Sequence, residues 1–97
     1  MKELMIALGT MPDLTTLSIY GTQIEDVDPL SRLTMLTKLN LGDNQIKDVT
    51  PLESLTNLTV LHLQGNQIVD EGLVSRLRAA ARVREAARVR AAARERR

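Results

Sequence analysis

The amino-acid sequence predicts an α/β solenoid. It is expected to be a short right-handed coil with a parallel sheet on its concave face, capped by an N-terminal helical segment and a long C-terminal Arg/Ala helix. Three observations carry this expectation. Apolar residues recur every 22 positions along the 97-residue chain. Each recurrence contains a Leu-x-Leu or Leu-x-Ile alternation, which in the first two units is followed by a proline. After Leu73 almost every residue is Ala, Arg, Val, Leu or Glu.

The N-terminal segment reads as a partial unit. Moved back by 22 positions, Val27, Leu30 and Leu33 fall on Met5, Leu8 and Met11, so residues 1–13 resemble the second half of a missing coil and are expected to cap the core. Solenoids need such caps because the end coils otherwise leave apolar surface open to water. Three coils follow, over residues 14–72. Leu14, Leu36 and Leu58 open them, and Leu17/Leu39/Leu61, Ile19/Leu41/Leu63 and Ile24/Ile46/Ile68 stay in step. Alternating apolar positions suit a short strand with one buried face. Pro29 and Pro51 each fix φ and remove a donor, so the return leg is expected to be a tight helical turn rather than a second paired strand. A polar column of Thr22, Asn44 and Asn66 lies where the chain bends away from the sheet. Backbone groups buried at such a bend need partners, and an amide side chain both donates and accepts. Thr22 offers only a hydroxyl, so the first coil is expected to be looser there.

The phrase from Leu36 through Leu41, Asn44, Ile46, Val49 and Pro51 to Leu52 resembles the 22-residue leucine-rich repeat, in particular its internalin-like subclass. The resemblance covers residues 14–70. It implies a curved solenoid that binds other proteins through its concave sheet and has no enzymatic activity of its own. The third unit departs from the pattern: Ile68-Val69-Asp70-Glu71-Gly72-Leu73 replaces the proline leg and resembles the longer helical leg of ribonuclease-inhibitor-type repeats. Asp70 suits an N-cap, with Glu71 in the first turn where the helix dipole favours negative charge.

Composition narrows the chemistry. The chain has no Cys, no Trp, no Phe, one His (His62) and one Tyr (Tyr20), which excludes disulfides, thiol nucleophiles and multi-histidine or cysteine metal cages. No cofactor motif or glycine-rich phosphate loop is present. Asp26, Asp48 and Asp70 recur at the period and could suggest a calcium column, but an Asp before a tight leg ordinarily binds the backbone of its own turn. No metal is expected. No segment is apolar enough for a membrane span, and Glu3 spoils the basic start of a signal peptide, so no membrane contact and a cytoplasmic location are expected.

The outward positions of the strands form three rows: Thr16, Lys38, Val60; Ser18, Asn40, His62; and Tyr20, Gly42, Gln64. Apart from Gly42, these are the candidate partner-binding residues. Tyr20 stands out because tyrosine gives a large contact area at low entropic cost, although every outward position of any sheet must carry some residue. Catalysis by Ser18 and His62 is not expected, because they fall two strands apart, roughly 9–10 Å.

Residues 73–97 are expected to form a basic helix, up to about 25 residues and ~37 Å long. They carry nine Arg against two Glu, whereas residues 1–72 carry four basic against ten acidic residues. An acidic body therefore bears a basic tail. Within the tail Arg-x-Arg recurs every six residues, a spacing that rotates the apolar residues round the helix and makes no lasting stripe. An alternative stripe of Leu73, Leu77, Ala80, Ala87 and Ala91 is broken by Arg84, so only the first two turns are expected to pack on the last coil.

Arg82, Arg84, Arg88, Arg90 and Arg94 are candidate contacts for a nucleic acid, held weakly and with steep salt dependence, or for an acidic surface, including that of a second copy. Otherwise the tail is a solvated extension. The leading functional expectation is a non-enzymatic module of adaptor or inhibitor type that binds another protein. The alternative is a nucleic-acid-associated protein using the basic helix. A regular solenoid joined to a six-residue repeat is also compatible with a designed or generated scaffold that has no natural ligand.

Overall fold

The computed structural model describes residues 2–95; Arg96 and Arg97 of the basic tail lie outside the described residues. The elements follow in the order α1 (Lys2–Leu8), β1 (Thr16–Ser18), a 3-10 turn (Asp28–Arg32), β2 (Lys38–Asn40), a second 3-10 turn (Thr50–Ser54), β3 (Val60–His62) and α2 (Glu71–Glu95). The three strands form one parallel sheet in the order β1-β2-β3. Leu17, Leu39 and Leu61 are in register across it. The 22-residue spacing has thus become a stack of coils, with strands on one side and 3-10 turns on the other.

The two prolines act as their chemistry requires. Pro29 and Pro51 each occupy the first turn of a 3-10 segment, where a missing N–H costs nothing. Both segments close alike: the amides of Leu30 and Leu52 donate to the carbonyls of Val27 and Val49, each at 2.9 Å. Asp26 and Asp48 accept the amides of Asp28 and Thr50 two residues on, each at 2.9 Å. The periodic acids therefore bind their own turns.

Between strands and turns lies one continuous core. Leu30, Leu33, Leu36, Leu39, Leu41, Ile46, Leu52 and Leu55 are all buried, and each contributes about 1.5–3 kcal/mol by leaving water. Leu17 and Leu61 belong to the same column but are only half-buried. They sit on the edge strands, where one side lacks a further coil.

The polar column performs the expected task. The Asn44 amide nitrogen donates to the carbonyls of Ile19 at 2.8 Å and Leu41 at 2.9 Å, while its oxygen accepts the amides of Thr22 at 2.9 Å and Ile24 at 3.1 Å. Asn66 repeats the pattern one coil later, donating to Leu41 and Leu63 and accepting from Ile46. Each asparagine therefore ties its own coil to the preceding one. The Thr22 hydroxyl makes only long contacts, at 3.3 Å to the Ile19 carbonyl and 3.2 Å to the Asn44 side-chain oxygen. The next residue, Gln23, adopts φ 61, in the left-handed region, which side chains such as glutamine rarely occupy.

Two expectations need correction. Met5 and Leu8 of α1 are buried as projected, but Met11 is 48% exposed. The chain turns sharply after α1, with Thr10 and Met11 bonding back to Ala7 and Leu8, and this leaves Met11 on the outside. The C-terminal helix also packs further than two turns. Leu73 and Ala81 are buried, Val74, Leu77, Ala80 and Arg84 are half-buried, and the guanidinium of Arg84 donates to the Leu58 carbonyl at 3.0 Å. Arg84 continues the contact rather than breaking it, because its aliphatic stem covers apolar surface while its head satisfies a backbone acceptor. Ala87 and Ala91 are exposed. Asp70 caps α2 by accepting the amide of Leu73 at 3.0 Å.

Candidate functional site

Strand pairing sets the outward rows directly. Thr16 lies opposite Lys38 and Lys38 opposite Val60, and Ser18, Asn40 and His62 align in the same way. Beyond the strand ends the ladder continues, with the amide of Gly21 donating to Gly42 at 3.0 Å and that of Asp43 to Gln64 at 2.8 Å. Tyr20, Gly42 and Gln64 therefore form the third row.

The side chains in these rows are not equivalent. Thr16, Ser18, Tyr20, Lys38, His62 and Gln64 are exposed, whereas Asn40 and Val60 are half-buried. Asn40 is partly committed to the fold, its oxygen accepting the amide of Gly42 at 3.0 Å. Gln64 lies over Gly42 so closely that a Cβ there would stand 2.8 Å from its amide nitrogen. Gly42 is consequently the seat of Gln64.

Tyr20 is 56% exposed and its hydroxyl donates to the Asp43 carboxylate at 2.5 Å. This bond, followed by the nearby negative charge, raises the phenol above its ordinary value near 10. The ring is thus presented to solvent in a fixed orientation. Asp43 has φ 53 and sits between Gly21 at φ 66 and Gly65 at φ 74 in successive coils. A Cβ on Gly65 would collide with the Asp43 carboxylate at 1.9 Å. Sequence reasoning did not single out Asp43. The signal was the 22-residue column Gly21, Asp43, Gly65, whose members share a tolerance of the left-handed region.

Ser18 and His62 lie on the outer strands with Asn40 between them, so no nucleophile–base bond links them. The tail arginines divide into two groups. Arg84 is directed to Leu58, and Arg88 pairs with Glu85 at 2.6 Å. That pairing holds the Glu85 carboxyl below its ordinary value, with smaller help from Thr59 and Lys38 and against the effect of burial. Arg82, Arg90 and Arg94 are exposed on α2.

A stack of parallel strands and short turns with an asparagine ladder defines a class, and comparison with known proteins agrees. Residues 34–74 match the family model for leucine-rich repeats in two copies. The chain is a leucine-rich-repeat protein. Its repeats are of the internalin-like kind: an internalin C2 of Listeria monocytogenes is 45% identical over 67% of this chain and 29% of its own, with a TM-score of 0.66. An internalin (inlF) of the same bacterium is 33% identical over 65% of this chain and 25% of its own, with a TM-score of 0.47. The chain therefore spans less than a third of either. Comparison with curated proteins gave no match.

Proposed function

We propose that the chain is a non-enzymatic protein-binding module that occupies a partner's surface with the outward, concave face of its sheet, in the manner of an adaptor or inhibitor. The observation that carries this reading is Tyr20, exposed yet held in place by Asp43. An aromatic ring that is already ordered loses little entropy on binding, which is the property of interface anchors. The internalin-like repeats support the same reading at the level of class.

The test is affinity capture from a cell extract with the intact chain and with a Tyr20→Ala/His62→Ala variant. Loss of the captured species in the variant is expected. Equal capture by both proteins would remove the sheet face from consideration.

A further inference from the structure

Beside β3 the sheet does not end in open solvent. A cleft of about 290 Å³ runs between the strand and α2, with Thr59, His62 and Gln64 on one wall and Arg78, Ala81 and Arg82 on the other. The small Ala81 is buried against the strand and brings the helix close, so that the arginines on either side of it reach the edge of the outward face. Arg78 and Arg82 are one turn apart on the same side of α2, an arrangement that costs a helix tenths of a kcal/mol through like-charge repulsion. Among the described residues the ion pair found is Arg88 with Glu85; Glu71, two turns before Arg78, lines a neighbouring pocket with it but lies outside the lining of this cleft. The two guanidinium groups thus concentrate positive charge at the rim of a body whose first 72 residues carry an excess of acids.

We infer that this cleft is a carboxylate-binding subsite that takes an acidic side chain pair from a protein partner seated on the sheet. The inference rests on the proposed role of the sheet face and extends it by naming the partner's chemistry. Guanidinium groups bind carboxylates bidentately, and such charge-assisted bonds are about twice as strong as neutral ones. The side-chain amide of Gln64 and the imidazole of His62 add donors on the opposite wall. A protein segment suits the site better than a nucleic acid. Two adjacent arginines match two carboxylates, whereas a phosphate chain extending from them would run over the acidic body, and the outward face offers one aromatic ring for base stacking.

A hexaglutamate peptide is the probe, titrated at low salt into the intact chain, an Arg78→Gln/Arg82→Gln variant and an Arg90→Gln/Arg94→Gln variant. The two variants lose the same net charge, and glutamine keeps the helix propensity of arginine. Affinity is expected to fall about tenfold for the first variant and to stay within about twofold for the second. In the intact chain, NMR signals of His62 and Gln64 are expected to move on peptide addition. Equal losses in both variants would reduce the effect to diffuse charge and overturn the inference. So would tighter binding of an oligothymidylate than of hexaglutamate with the same dependence on Arg78 and Arg82, which would assign the cleft to nucleic acid. Neither outcome touches capture through Tyr20, so failure here leaves the broader reading separately testable.

Discussion

The middle coil and the outer half of α2 are both regular structure, yet they are held by different forces. In the coil, Leu36, Leu39, Leu41, Ile46 and Asn44 are buried, and Asn44 closes four backbone groups of two successive coils. Residues 86–94 of the helix are exposed and depend on their own backbone bonds and alanine propensity. The lesson is that periodicity alone does not make a module. The 22-residue period survives because it returns side chains to one interior, whereas the six-residue period of the tail scatters them round a cylinder.

The strongest way to break this contrast is Asn44→Ala. It strips the Ile19 carbonyl and the amides of Thr22 and Ile24 of their asparagine partner, while the Leu41 carbonyl keeps Asn66, and it should cost about 3–5 kcal/mol in chemical denaturation. Thr22→Asn sharpens the contrast in the opposite sense: an amide at the first coil should add about 0.5–1 kcal/mol. Arg84→Ala tests where the body ends and the free helix begins. It removes the donor to Leu58 and the covering stem, with an expected loss of about 1 kcal/mol, larger than that of Arg90→Ala. Removing residues 90–97 should change stability by less than about 0.5 kcal/mol.

The last prediction concerns Tyr20 rather than global stability. The chain has one Tyr and no Trp, so ultraviolet titration reads this phenol alone. Its proton is held more tightly in the folded chain, which makes the contribution complete below about pH 10 and lost as pH rises through the raised value. Asp43→Asn should bring the titration back toward the ordinary range.

Much of the solenoid was legible because its determinants are local and repeated. Leucine alternation, the prolines and the asparagines each carry a backbone consequence. Other features were hidden for physical reasons. Met11 obeys the period, but the turn after α1 directs it outward. Ala81 and Arg84 look like poor anchors on any apolar count, and only the close approach of helix to strand gives a methyl group and an arginine stem something to cover. Asp43 was obscured because an acid in a glycine column looks like a break in the pattern, whereas the shared property is the backbone angle. The rows of the candidate face could be listed from the repeat. Which members are free, and which are held, as Tyr20 is by Asp43 and Asn40 by Gly42, depends on contacts within and across coils that the repeat does not specify.

Amide hydrogen exchange tests the central claim most directly, because the Ile24 and Ile46 amides are bonded to the side chains of Asn44 and Asn66 in the next coil. The account predicts that both exchange only with opening of the whole stack, at least about a hundredfold more slowly than the amides of residues 90–94. Exchange of Ile24 and Ile46 as fast as that of the distal helix would contradict a single interior shared by all three coils.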